Sequence, residues 1–278
     1  MEDTKKDRKY APIGVFDSGI GGLTVAREIM RQIPHEDIIY FGDTARVPYG
    51  SKSKDTIIRF SRQIIRFLKT KNVKAIVVAC NTASAQALED IRPELDIPIL
   101  GVVKPGARVA AEVTKNDKIG VIATSSTIES QLYNRVIHMH NPKAQVFGKA
   151  CPLFVPLVEE GWLKDPVTKE VACRYLEPLM ASGIDTLIMG CTHFPLLRSL
   201  LREILGEDVT LVNPAYETTK DLERVLEESG IANDGAGRAD GQRHEFYVSD
   251  AANKFRTFAD SILPYGVDRT QLIDIESY

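Results

Sequence analysis

The chain has no apolar run near the roughly 20 residues that would cross a bilayer. Its first ten residues, MEDTKKDRKY, are charged and hold no apolar stretch of the kind found in secretory signals. A cytoplasmic protein with no membrane partner is therefore expected. Excess charge of either sign is missing too. A formal net charge of -3 over 278 residues gives no electrostatic basis for nucleic acid as the main partner, which leaves a small molecule as the expected ligand.

Cysteine is scarce. Cys80, Cys151, Cys173 and Cys191 are too few to staple a chain of this length, and no two have C-x-x-C spacing. A disulfide scaffold, a zinc knuckle and a thioredoxin-type site are thereby disfavoured, and the thiols are expected to be reduced. Nucleotide motifs are incomplete. Gly19-Ile20-Gly21-Gly22 stops short of G-x-G-x-x-G because Thr24 stands at the third glycine position, and no G-K-[ST] phosphate loop occurs. His138 and His140 lack cysteine or carboxylate company and read as a solvated helix face, so no metal site is expected.

What is present is alternation. PIGVF (12–16), DIIYF (37–41), KAIVVAC (74–80), PILGVV (98–103), KIGVIA (118–123), TLIMGC (186–191) and VTLVN (209–213) are short runs rich in Val and Ile, the pattern of strands buried in a parallel sheet. Helical stretches lie between them. In KDTIIRFSRQIIRFLKT, Ile57, Phe60, Ile64 and Leu68 recur at helical spacing while Arg59, Arg62 and Arg66 face away. This predicts an α/β fold, doubly wound, with mainly parallel sheets.

The chain also repeats itself. Ile13-Gly14-Val15 and Ile119-Gly120-Val121 are 106 residues apart, and Cys80 and Cys191, each closing an apolar strand, are 111 apart. Two similar intervals point to an internal duplication, hence two similar lobes with a cleft between them. Lobe limits of about 1–103 and 104–214 follow, and the remaining tail, 215–278, must pack on one of them. The tail holds a glycine-rich loop, NDGAGRADGQ (233–242), a strand-like EFYVSD and a helix-like NKFRTFADSIL.

Ligands of parallel α/β sheets bind beyond the carboxyl ends of the strands. Cys80-Asn81-Thr82 and Cys191-Thr192-His193 both fall there, each before a helical pattern whose N-terminus would favour thiolate over thiol. A lone strand-end cysteine is more often packing than chemistry. The duplicated position and the polar flanks favour chemistry for Cys80 and Cys191, while Cys151 and Cys173 keep the packing reading. A Cys191–His193 hydrolytic pair would leave Cys80 without a role. Two thiols facing one carbon suit a racemase, in which one thiolate removes a proton from one face and the opposite thiol supplies one to the other. A binding protein for a dicarboxylate would use the same hydroxyl and amide donors but would not need the thiols.

IGVFDSGIGGLTV, YFGDTARVPYG, VVACNTASA, CPLFVPLVEEG and MGCTHFPLL closely resemble, in order, the motifs of the glutamate racemase family, cofactor-independent enzymes of the aspartate/glutamate racemase superfamily. The resemblance implies interconversion of L- and D-glutamate without a cofactor, supplying the D-isomer for bacterial peptidoglycan. An aspartate racemase is the nearest rival. The family's catalytic cysteines fall on Cys80 and Cys191, and its substrate ligands on Asp17, Ser18, Pro48, Tyr49, Gly50, Asn81, Thr82, Thr124, Thr192 and His193. Its auxiliary acids fall on Asp17 and on Glu159 or Glu160, with Glu159 preferred by its place after PLV, and His193 is positioned to tune or shuttle a proton at Cys191. The resemblance also implies that the tail crosses back to complete the first lobe, giving two hinge crossings near Val103 and Pro214. Closure of the lobes over substrate would exclude water, and a homodimer is the expected assembly. Two positions depart from the family: Lys104 in GVVKPGA, where many members carry an acid, and NPAYETT, where a serine-containing variant is frequent. The halves differ at matched positions, Asp17 against Ala123 and Thr82 against His193, so the two thiols are expected to differ in acidity.

Overall fold

The computed structural model describes residues 8–236, 244–264, 267 and 270–278. The expected loop at 233–242 therefore lies partly outside the described residues. Among the described residues ten strands form two sheets: β1 (Ile13–Asp17), β2 (Ile38–Gly42), β3 (Ala75–Val78), β4 (Ile99–Gly101), β5 (Lys118–Ala123), β6 (Gln145–Ala150), β7 (Thr186–Gly190), β8 (Thr210–Val212), β9 (Glu245–Val248) and β10 (Thr270–Leu272). The first sheet runs β10-β9-β2-β1-β3-β4 and the second β6-β5-β7-β8. Every pairing among the described residues is parallel. The order β2-β1-β3-β4 is thus repeated as β6-β5-β7-β8. Register repeats as well: Ile13 pairs with Ala75 and Ile119 with Thr186, in each case the residue five before the strand-end cysteine.

Continuous apolar runs become strands covered on both faces. In the first sheet Val15, Tyr40 and Val77 point into one core and Phe16, Phe41 and Val78 into another. In the second, Leu187 and Met189 face one side and Val121 and Ile188 the other. Helix Lys54–Thr70 begins at Ser53, whose hydroxyl accepts the Thr56 N–H, and it buries Ile57, Phe60, Ile64 and Leu68. Arg59 and Arg66 lie at the surface, and Arg62 bridges to Glu94.

Some expectations needed adjustment. The run 98–103 gives a strand only over Ile99–Gly101. Ser84 Oγ accepts the Val102 N–H at 3.2 Å, and helix Val103–Val113 starts there, burying Val103, Ala107 and Ala110 against β5. β6 and β10 were not foreseen. Both are edge strands with mostly half-buried or exposed side chains, so they lack the apolar run that marks a central strand. The tail strand β9 hydrogen-bonds to β2, helix Ala252–Ile262 plants Phe255 and Ala259 in a core of the first sheet, and helix Pro214–Glu228 adds Leu222 and Leu226 to that core. Among the described residues no helix is long and apolar enough to cross a membrane. His138 and His140 sit exposed at the end of helix Leu132–His140, with His138 Nε2 at 2.9 Å from the Ala144 carbonyl.

Candidate active site

In a doubly wound sheet the chain leaves β1 in one direction for β2 and in the other for β3, which opens a crevice at the carboxyl ends of β1 and β3. Asp17 and Ser18 end β1, and Cys80-Asn81-Thr82 follow β3. The repeat makes the same crevice in the second sheet, between Thr124-Ser125 after β5 and Cys191-Thr192-His193 after β7. The two crevices share one cavity of about 510 Å³. Its walls include Ser18, Pro48, Tyr49, Gly50, Cys80, Asn81 and Thr82 from one side and Thr124, Glu159, Cys191, Thr192 and His193 from the other. Asp17 is the one candidate that does not reach the wall. It lies buried behind it, with Oδ2 accepting the N–H groups of Gly19 (3.1 Å) and Gly22 (2.9 Å) and Oδ1 without a hydrogen-bond partner among the described residues.

Cys80 caps helix Asn81–Gln86: its sulfur accepts the Ala83 N–H at 3.5 Å, and its thiol lies 3.5 Å from Ser18 Oγ. Burial, reinforced by the negative charge of Asp17, pushes this thiol up to about 12 against the bonds from Ser18 and Ala83. Asp17 itself is raised by burial, opposed by the charge on His193 and by its backbone donors.

Cys191 has different company. Its sulfur lies 3.8 Å from His193 Nδ1, and His193 Nε2 lies 3.1 Å from Glu159 Oε1. Burial works against a charged imidazole at His193, but its hydrogen bonds to Cys191 and Glu159 and the negative charges of Cys191 and Asp17 outweigh it, pushing the group up to about 10. Glu159 is lowered for the matching reason: burial favours the neutral acid, and the contacts with His193 and Lys254 more than offset it. The carboxylate that reaches His193 is Glu159, whereas Glu160 is exposed. The anticipated helix N-terminus is absent at Cys191. A 3-10 turn at Phe194–Leu197, with Pro195 in its first turn, intervenes before helix Arg198–Leu205, so Cys191, unlike Cys80, is not the cap of an α-helix.

Several of the remaining candidates are held by contacts that cross between the sheets, while Tyr49 is held within the first lobe. Thr82, Thr124 and Thr127 form a triangle of hydroxyls at 2.9, 3.0 and 3.3 Å. Asn81 Oδ1 accepts the Tyr133 hydroxyl at 2.8 Å. Tyr49 turns its ring inward and donates its hydroxyl to the buried Asp43, which Arg46 and Ser249 also contact. The glycines act by close approach. A Cβ on Gly21 would stand 2.4 Å from His193 Cε1 and 2.4 Å from Thr192 Oγ1, and Thr24 donates to the Thr192 carbonyl at 2.9 Å. Thr24 therefore serves the joint between the lobes, where a phosphate loop would have needed glycine. Thr127 and Tyr133 went unnoticed in the sequence because each sits within an ordinary helical pattern, and Thr24 was read only as the residue that interrupts a glycine motif.

Residues 13–221 match the profile of the Asp/Glu/Hydantoin racemase family. The chain belongs to this family of racemases. It is 49% identical over 276 residues to a glutamate racemase of Neisseria meningitidis, covering 99% of this chain and 100% of that protein. Among solved structures, a glutamate racemase isoform of Bacillus anthracis superposes with a TM-score of 0.91 at 41% identity, covering 96% of this chain and 98% of that one. Glutamate racemase of Francisella tularensis, solved in complex with D-glutamate, gives 0.89 at 39% identity, covering 97% and 100%. The enzyme is thus an isomerase whose two-sheet architecture is that of the glutamate racemases.

Proposed function

We propose that this racemase interconverts L- and D-glutamate by proton transfer between Cys80 and Cys191 across the α-carbon. The observation that carries the reading is that one cavity is walled by two buried thiols, each at the same position of a repeated fold. The Francisella relative with D-glutamate bound supports the substrate. In one direction a thiolate at one cysteine takes the α-proton, the electron pair stays on the substrate as a carbanion, and the opposite thiol gives its proton to the other face. The first cysteine ends as thiol and the second as thiolate, and exchange with solvent resets them.

The residues around the cavity supply what that step needs. Burial and the charge of Asp17 favour the thiol at Cys80, and a substrate ammonium beside Cys80 and Asp17 would favour the thiolate. Ser18, Asn81, Thr82, Thr124 and Thr192, with the backbone N–H groups of Tyr49 and Gly50 that follow Pro48, offer short donors for the two carboxylates and spread the carbanion's charge. His193, held by Glu159, exchanges protons with Cys191. The two lobes, parted near Val103 and Pro214, close over the substrate and exclude water. In the cell the product would be D-glutamate for peptidoglycan.

The test is proton NMR of L-glutamate in D2O with the purified protein, with circular dichroism following optical activity. Loss of the α-proton signal together with optical rotation supports the reading. Absence of exchange with either glutamate enantiomer, with exchange on aspartate, would move the substrate to the shorter acid.

A further inference from the structure

Lys254 enters the site only through its contact with Glu159, and its helix packs with the other lobe from that carboxylate. Helix Ala252–Ile262 is anchored by Phe255 and Ala259 in a core of the six-stranded sheet. Lys254 and Phe258, four residues apart, project from one face of that helix, and that face meets the second lobe. Lys254 Nζ lies 3.3 Å from Glu159 Oε2. The Phe258 ring stands 6.5 Å from the His193 ring and packs against cores of both sheets. Since Glu159 uses its other oxygen on His193, and His193 reaches Cys191, a polar path runs from a lysine of one lobe to the thiol of the other.

We propose that Lys254 is a positioning residue that ties closure of the two lobes to the ionised, His193-facing state of Glu159. The inference rests on the reading that Glu159 and His193 serve Cys191. Burial alone would favour the neutral acid at Glu159. Two groups oppose this, His193 from the loop after β7 and Lys254 from the tail helix, and His193 is faced in turn by Cys191 and Asp17. Of the two, only Lys254 belongs by packing to the first lobe. Parting the lobes withdraws it, so Glu159 loses one partner and is freer to take up a proton or rotate away. Closing them restores both partners, and the acid behind Cys191 is fixed only when substrate is enclosed.

The experiment compares wild type, Lys254→Met and Lys254→Arg, measuring kcat and KM for both glutamate enantiomers from about pH 5 to about pH 9, at low salt and with added KCl. Lys254 is half exposed, so the effect expected for Lys254→Met is a loss of about twofold to fivefold in kcat/KM, the size of an exposed ion pair. The loss is the same in both directions because the enantiomers are equal in free energy. The acid limb of the profile moves to higher pH, added salt brings wild type toward the variant, and Lys254→Arg keeps the wild-type profile. The proposal is overturned if Lys254→Met tracks wild type at every pH. It is equally overturned if Met and Arg lose activity alike with no movement of the limb, which would mark a packing role. A wild type that does not racemise glutamate would instead remove the reading beneath it.

Discussion

Cys80 and Cys191 occupy matching places in a repeated fold, yet the groups around them differ. Around Cys80 stand a helix N–H, a serine hydroxyl and a buried aspartate that discourages the thiolate. Around Cys191 stand an imidazole and a carboxylate in series. The duplicated scaffold fixes where a thiol can stand, and the residues one or two positions away decide how its proton is managed. Asp17 matches Ala123 in the repeat and Thr82 matches His193, so two substitutions on a shared frame contribute to the asymmetry, together with Glu159 and the turn after Cys191.

The largest effect expected from breaking this comparison is at the thiols. Cys80→Ser and Cys191→Ser each lower racemisation by on the order of 1,000-fold, because inversion needs both faces served. Deuterium exchange into each enantiomer, followed by NMR, tells which face each remaining thiol serves. Next is His193→Asn, expected to cost roughly 100-fold in kcat/KM through loss of proton exchange at Cys191. A fall of the same size in a variant of Ser18 would undo the asymmetry described here. Gly21→Ala follows, at about 10-fold to 100-fold. The added methyl displaces the His193 ring and the Thr192 hydroxyl, so activity falls more than the melting temperature measured alongside it. Thr124→Val, which removes one corner of the hydroxyl triangle, is expected to raise KM by about fivefold with the fold intact, a loss of about 1 kcal/mol.

The smallest effect is on stability against pH. His193 is pushed up to about 10 from an ordinary 6.5, so folding favours its protonated form. That contribution is complete below pH 6.5 and is lost as pH rises toward 10. Between those values the melting temperature of wild type should fall relative to that of His193→Asn. The raised Cys80 thiol loses its own contribution at higher pH in both proteins and drops out of the difference.

Much of this was legible in the sequence, for identifiable reasons. Central strands announce themselves because burial on both faces demands unbroken apolar runs, and the repeat showed because the IGV triplets and the cysteines kept their spacing. β6 and β10 stayed hidden since an edge strand needs no such run. The thiols and their flanking polar residues could be placed from strand ends alone. Tyr133 and Thr127 could not, because their roles depend on contacts across the cleft to Asn81 and Thr82. The turn after Cys191 was misjudged for a local reason: Pro195 holds the chain in a 3-10 turn before the helix can start.

The repeated register of β1 on β3 and β5 on β7 bears on handedness. Two copies of one scaffold built from L-residues can be brought together by rotation and translation, never by reflection. Mirror-image substrates will therefore always meet surroundings that are not mirror images. Equal energies of L- and D-glutamate fix only the ratio of kcat to KM in the two directions, leaving each constant free to differ. Whatever divergence Asp17 and His193 introduce between the half-sites is thus compatible with an equilibrium that prefers neither hand.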